Sequence, residues 1–89
     1  MNGEDAAALV ADTRQAYDRL VDIRGQCCAQ PVIRISQEMR SLQVGDVILA
    51  VADKASMRKD IPAFCNQTGN ALIHAEERDL LLYFWMRKG

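Results

Sequence analysis

Hydrophobic and polar positions along the chain fall into a repeating pattern of short strands and longer helices. Residues 46–52 form an apolar run, and residues 18–23 alternate in part between polar and apolar side chains. Turn-forming residues follow both segments, and each segment predicts a strand. Between them, apolar side chains recur at helical spacing from a start marked by Pro31, which the first turn of a helix tolerates. This helix is expected to end before Val44-Gly45, and its apolar face consists of Val32, Ile35, Met39 and Leu42.

The second half of the chain predicts another helix and two more strands. The helix has an apolar face formed by Met57, Ile61, Phe64, Cys65 and Thr68. Because Pro62 lies inside this segment, we expect the helix to begin near Asp60, with Pro62 in its first turn. Residues 71–75 and 80–86 then form strands, joined by a hairpin turn at the polar residues 76–79.

This order of elements predicts an α/β fold, because two helices can cover only one face of a four-stranded sheet. The result is a two-layer α/β sandwich with the connectivity β-α-β-α-β-β. We divide the chain into an N-terminal extension, helical or frayed, at residues 1–16 and one domain at residues 17–89.

The last predicted strand is apolar on both sides, which bears on possible partners. We assign one set of alternating side chains to the core: Leu80, Leu82, Phe84 and Met86. The other set, Leu81, Tyr83 and Trp85, is expected to form an exposed patch on the open face of the sheet. Such a patch would bind a protein partner or a second copy of the chain as a homodimer. The alternative is that the N-terminal extension covers it, using Leu9, Val10 and Tyr17.

Composition excludes several classes of function. The 89 residues carry a formal net charge of -1, which argues against direct nucleic-acid binding and against binding to an acidic membrane surface. No targeting signal or membrane-spanning run is evident. Three cysteines, an odd number, indicate reduced thiols and a cytoplasmic location. Adjacent cysteines are poorly placed to share one metal ion, so we predict neither a metal site nor a cofactor.

The candidate chemistry lies at Cys28, between the first strand and the first helix. The unpaired N–H groups and the positive dipole end of a helix N-terminus favour a thiolate, the nucleophilic form of cysteine. The alternative is that Cys28 is a small buried residue with no chemical role. Spacing alone leaves both interpretations open.

From Asp22 onward, about three quarters of the chain resembles the TusA/SirA family of small sulfur carriers. The family signature is an Asp, a Gly and then Cys-Pro-x-Pro at the start of the first helix. The residues that match it are Asp22, Gly25, Cys28 and Pro31. The similarity continues through Gly45, Ala52-Asp53, the run Asp60-Ile-Pro-Ala-Phe-Cys65 and the ending Arg87-Lys-Gly89.

The resemblance implies a fold and a function. The fold would be that of the C-terminal domain of translation initiation factor three, with a mixed sheet of strand order 1-2-4-3. The implied function is to accept a sulfane sulfur as a persulfide on Cys28. The donor would be a cysteine desulfurase or a rhodanese-type protein, and the sulfur would pass to an acceptor protein. The alternative function is a non-catalytic interaction or regulatory module with the same fold.

Several residues near this site depart from the signature or support it. Ala29 replaces the first proline and supplies an additional N–H group, while Ser36 stands where the family has a basic residue. Cys27 is either a small neutral residue or a second thiol able to attack a persulfide on Cys28. Cys65 is expected in the core. A basic cluster near the helix ends, either a docking surface or a solvated face, would comprise Arg34, Arg40, Lys54, Arg58 and Lys59. Asp60 would cap the second helix or assist docking, and we favour the cap.

Overall fold

The computed structural model describes residues 16–25 and 30–89. Four strands and two helices follow the order predicted from the sequence. They are β1 (Arg19–Asp22), α1 (Gln30–Arg40), β2 (Val47–Ala52), α2 (Met57–Thr68), β3 (Ala71–Arg78) and β4 (Leu81–Arg87). Apart from Ala16, the predicted N-terminal extension lies outside the described residues, as do Leu9 and Val10.

The four strands form one mixed sheet in the order β1-β2-β4-β3. β1 is parallel to β2, and β4 is antiparallel to both of its neighbours. The predicted two-layer α/β fold and its strand order are therefore confirmed. One edge of the sheet carries the C-terminal ends of β1 and β2, the starts of both helices and the β3–β4 turn, and we call it the carboxyl edge.

The main core lies between the sheet and the two helices. Helix α1 buries side chains at intervals of four residues, namely Pro31, Ile35 and Met39. Helix α2 buries Met57, Ile61, Phe64 and Cys65. From β4, Leu82, Phe84 and Met86 join this core as predicted. Leu80 does not, because it lies in the β3–β4 turn with 87% of its surface exposed.

The opposite face of the sheet carries a second cluster of buried side chains, formed by Leu49, Val51, Tyr83 and Trp85. The prediction of an exposed aromatic patch here is wrong, since Tyr83 is 3% exposed and Trp85 is 0% exposed. Tyr17 packs against this cluster. The His74 ring lies 4.8 Å from the Trp85 ring. A homodimer through this face stays a prediction, but the buried rings remove the reason given for it.

Two predicted boundaries are also wrong. Helix α2 begins at Met57, so Pro62 lies inside the helix and not in its first turn. Met57 is 1% exposed, and burying a methionine contributes about 1.5–3 kcal/mol, which offsets much of the cost of an internal proline. Of the residues expected to form the hairpin turn, residues 76–78 instead extend β3 as far as Arg78, and Asp79 alone lies in the turn as predicted.

The hairpin turn consists of Asp79 and Leu80 alone. Both residues have positive φ, 50° and 68°, which fits the type of two-residue turn that matches the twist of paired strands. Polar residues continue β3 because it is an edge strand whose side chains find partners. The Arg58 guanidinium donates to Glu77, and the Arg78 guanidinium lies 4.9 Å from the centre of the Tyr83 ring.

Lys88, just after β4, connects the end of the sheet to the end of α1. Its Nζ donates hydrogen bonds of 2.8 Å to the carbonyl oxygens of both Met39 and Leu42. These carbonyls lie at and just beyond the last turn of α1, where helical carbonyl groups lack intrahelical donors. Lys88 therefore caps α1 and complements the negative end of its dipole.

Candidate functional site

The segment that leads from β1 toward the candidate thiol is held by an ion pair between Asp22 and Arg24. Arg24 Nε donates to Asp22 Oδ1 at 2.9 Å, and Arg24 Nη2 donates to Asp22 Oδ2 at 2.8 Å. The backbone N–H of Arg24 also donates to Asp22 Oδ1, at 3.1 Å. These hydrogen bonds lower the pKa of the Asp22 carboxyl below its ordinary value, with the Arg24 side chain as the main cause.

A second carboxylate, from the end of β2, holds the next residue. Gly25 N donates to Asp53 Oδ2 at 3.0 Å, and Ile23 N donates to Val51 O at 2.9 Å. Gly25 has φ of 77°, a conformation that glycine adopts without steric cost. The chain therefore leaves β1 in a fixed direction at the carboxyl edge. Beside it is a recess of about 390 Å³, lined by Asp22, Arg24, Gly25, Asp53 and Leu81.

The predicted sulfur-bearing residue and its neighbours follow this anchored segment. Cys27, Cys28 and Ala29 lie outside the described residues. Pro31, the second residue of α1, is buried as part of the first turn. That turn contains no acidic residue, so no side-chain charge within it offsets the positive end of the helix dipole. In sequence, Cys28 precedes the first residue of α1 by two positions.

The predicted basic cluster is only partly assembled. Lys54, Arg58 and Lys59 lie together at the start of α2, on the carboxyl edge. Arg34 pairs with Glu38 along α1 at 3.3 Å. Arg40 lies in the last turn of α1, at the opposite edge of the sheet, and does not join the cluster.

Asp60 does not cap α2, so that prediction is wrong. Ser56 occupies the N-cap position, and its side chain makes no capping hydrogen bond. Asp60 lies instead in the first helical turn, where its negative charge interacts favourably with the positive end of the helix dipole. The cause is the earlier start of the helix at Met57, which moves Asp60 inside it.

Cys65 is a core residue, as the sequence predicted. Its side chain belongs to the buried cluster beneath α2 and is 3% exposed. Burial raises the pKa of the Cys65 thiol to about 11, because the apolar surroundings disfavour a thiolate. Cys65 is therefore not suited to nucleophilic chemistry.

The family of this chain follows from comparison with known proteins. A family model described as Sulfurtransferase TusA matches residues 19–88, which is most of the sequence. The chain belongs to the TusA family. The match spans the four strands and two helices of the described ranges, and it includes the anchored segment at Asp22 and Gly25 and the candidate thiol at Cys28.

Relatives named as sulfur carriers extend over nearly the same region. The sulfur carrier protein TusA of Pseudomonas putida strain F1 is 35% identical over 71 residues, covering 80% of this chain and 89% of the relative. The sulfur carrier protein TusA of Pseudomonas aeruginosa strain LESB58 is 32% identical over 73 residues, covering 82% of this chain and 92% of the relative. The family assignment therefore supports a sulfur-carrier role.

A solved structure supports the fold independently. The crystal structure of a SirA-like protein from Desulfitobacterium hafniense superposes with a TM-score of 0.73 at 23% identity, covering 81% of this chain and 99% of that protein. Neither helix in the described ranges is long and apolar enough to span a bilayer.

Proposed function

We propose that the protein accepts one sulfane sulfur as a persulfide on Cys28 and transfers it to an acceptor protein. The observation that carries this proposal is the anchoring of the chain just before Cys28. Asp22 and Asp53 hold Arg24 and Gly25 at the carboxyl edge, and α1 begins immediately after residues 26–29. Cys28 precedes α1 by two positions in sequence, and a helix N-terminus favours anionic sulfur.

The chemistry is the transfer of one sulfur atom from a persulfide to a thiolate, without net oxidation. The Cys28 thiolate attacks the terminal sulfur of the donor's persulfide, and a new S–S bond forms on Cys28. The S–S bond of the donor breaks, and the donor cysteine leaves as a thiolate. In the second transfer Cys28 is the donor: the thiolate of the acceptor attacks the terminal sulfur of the persulfide, and Cys28 leaves as a thiolate. The donor would be a cysteine desulfurase or a rhodanese-type protein, acting in the reducing cytoplasm.

The residues around Cys28 have proposed supporting roles. Ala29 carries an N–H group that a proline would lack, and its proposed role is to donate a hydrogen bond to a sulfur anion. Pro31 stiffens the first turn of α1, while Arg58, Lys59 and Asp60 belong to the surface that meets a partner. Cys27, adjacent in sequence, has the proposed role of a second thiol that attacks a persulfide on Cys28; the alternative is a small residue with no chemical role.

Intact-mass measurement after incubation with a cysteine desulfurase and L-cysteine tests this proposal. We expect the wild type and Cys27→Ser to gain the mass of one sulfur atom, and Cys28→Ser to gain none. The added mass should disappear on treatment with a reducing thiol, because the persulfide S–S bond is then cleaved.

Two outcomes would contradict the assignment. Equal loading of Cys28→Ser would move the sulfur to another thiol, with Cys27 the first to examine. No loading of the wild type by the desulfurase, by thiosulfate with a rhodanese, or by glutathione persulfide would favour the non-catalytic interaction module.

A further inference from the structure

We propose that residues 1–15 cover the sheet face opposite the two helices, as a third layer supplied by the same chain. The surface that they occupy is the cluster formed by Leu49, Val51, Tyr83 and Trp85. The family match begins at residue 19, so the covering segment lies outside the matched region. This cover is independent of the proposed sulfur-carrier function.

The burial of the cluster requires a layer of protein above the sheet. Both helices pack on the other face, and the open face of a two-layer fold ordinarily meets solvent. Leu49, Val51 and Trp85 are nevertheless 0% exposed, although tryptophan is seldom buried completely. Apart from Tyr17, the described side chains that contact the cluster are sheet neighbours that flank it, namely Leu20, Val47, His74, Arg78 and Leu81. Flanking side chains leave the top of the cluster to be covered by another segment.

The two central strands have the residue pattern of strands that are buried on both faces. β2 reads Val-Ile-Leu-Ala-Val-Ala, and β4 reads Leu-Leu-Tyr-Phe-Trp-Met before Arg87, so each is a nearly continuous apolar run. The edge strand β3 differs, because the residues that pair with Trp85, Tyr83 and Leu81 are His74, Glu76 and Arg78. The cover is therefore needed over β2 and β4, a strip about 20–23 Å long at about 3.3 Å per residue.

The path of the chain identifies residues 1–15 as this cover. Tyr17 packs against the cluster, and Asp18 N donates to Val47 O at 2.8 Å, while Val47 N donates to Asp18 Oδ2 at 2.8 Å. The chain is thus fixed at the start of β2, directly after residues 1–15. A helix of that length spans about 22 Å, which matches the strip. The other segment outside the described residues, 26–29, leads into α1 on the opposite face.

The sequence of the covering segment supplies an apolar face. Leu9, Val10 and Thr13 recur at helical spacing, and Tyr17 follows four residues after Thr13. Ala8 and Ala11 fall on the other side of the same helical pattern. Leu9 and Val10 are therefore the side chains that pack on the cluster.

Acrylamide quenching of fluorescence tests the cover, because Trp85 is the single tryptophan of the chain. In the full chain, Leu9→Asp/Val10→Asp places two charges against the apolar cluster, which should release the segment. We expect the wild type to be quenched weakly. The variant should be quenched severalfold more strongly, with its emission maximum at longer wavelength, because Trp85 then meets water.

The matched control is Ala8→Asp/Ala11→Asp, which adds two charges to the same segment on the side away from the cluster. Its quenching should equal that of the wild type. Cys65 lies in the main core, so its lack of reaction with iodoacetamide shows that each variant is folded beneath α2.

Nuclear Overhauser effects provide a measurement that needs no variant. In the isotope-labelled wild type, we expect cross-peaks between methyl protons of Leu9 or Val10 and ring protons of Trp85 or Tyr83. In a mixture of labelled and unlabelled chains, these cross-peaks should arise within one chain and not between two chains.

Four results would overturn the proposal. Strong quenching of the folded wild type would mean that the face is open to solvent. Equal quenching of the wild type and a folded Leu9→Asp/Val10→Asp variant would mean that residues 1–15 are not the cover. Cross-peaks between chains, with quenching that rises on dilution, would identify a second copy as the cover. If the variant does not fold, the wild-type cross-peaks decide, and their absence is the fourth such result.

Discussion

Substituting Lys88 with methionine should destabilise the protein by about 2 kcal/mol. Each hydrogen bond from a charged donor contributes about 1.5–3 kcal/mol, and Lys88 makes two, to Met39 and Leu42. Because the side chain is only part-buried, we take the lower value for each bond. The two bonds together contribute about 3 kcal/mol. Fixing a lysine side chain costs about 1.5–2 kcal/mol in entropy, and methionine recovers only part of this because its own stem still packs, which leaves a net loss of about 2 kcal/mol.

Urea unfolding followed by the fluorescence of Trp85 measures this effect. Trp85 is fully buried, and its strand β4 pairs with both β2 and β3, so its emission reports loss of the sheet. Lys54→Met, at an exposed position, is the matched control and should change the free energy of unfolding by less than about 0.5 kcal/mol. If Lys88→Met is as stable as this control, Lys88 does not act as the cap of α1.

The other predictions concern Asp22 and Cys65. The pKa of Asp22 is lowered in the folded state, so its contribution to stability is present above the unfolded value of 3.8 and is lost as pH falls through the folded value. Between about pH 5 and about pH 3, the free energy of unfolding should therefore fall less for Asp22→Asn than for the wild type. If urea unfolding shows the same fall in both proteins, the prediction is wrong. Cys65, with its thiol pKa raised to about 11, should resist iodoacetamide until urea unfolds the protein. Rapid alkylation of Cys65 in the folded state would show that it is not a core thiol.

The order of elements could be predicted from the sequence because the periodic patterns are strong. Ile35 and Met39 in α1, and Ile61, Phe64 and Cys65 in α2, all face the core as their spacing indicated. The strand order 1-2-4-3 came from the family resemblance, since periodicity does not state which strands are neighbours.

The errors share a physical cause, which is that local pattern does not report tertiary contacts. Met57 starts α2 early because the core buries it, and β3 extends because Glu77 and Arg78 find partners across the surface. Trp85 is buried among residues distant in sequence, including Tyr17 and His74, and the pattern of its own strand does not report these contacts. The contacts of Arg24 with Asp22 and of Asp53 with Gly25 were not predicted either. The sequence did carry a signal for them. Arg24 follows the end of β1 and Asp53 follows the end of β2, and because these strands are parallel, both residues lie at the same edge of the sheet.

The strand order also constrains how the chain can fold. β4 comes last of the four strands in sequence, yet it lies between β2 and β3 and is the only described strand that pairs with both. Until β4 is available, the parallel β1–β2 pair and β3 have no common neighbour. During synthesis, an incomplete chain therefore holds unpaired strand edges and an uncapped α1, so folding of this domain must wait for its final segment. We therefore expect this domain to stay unfolded until β4 is available and then to fold in one cooperative step.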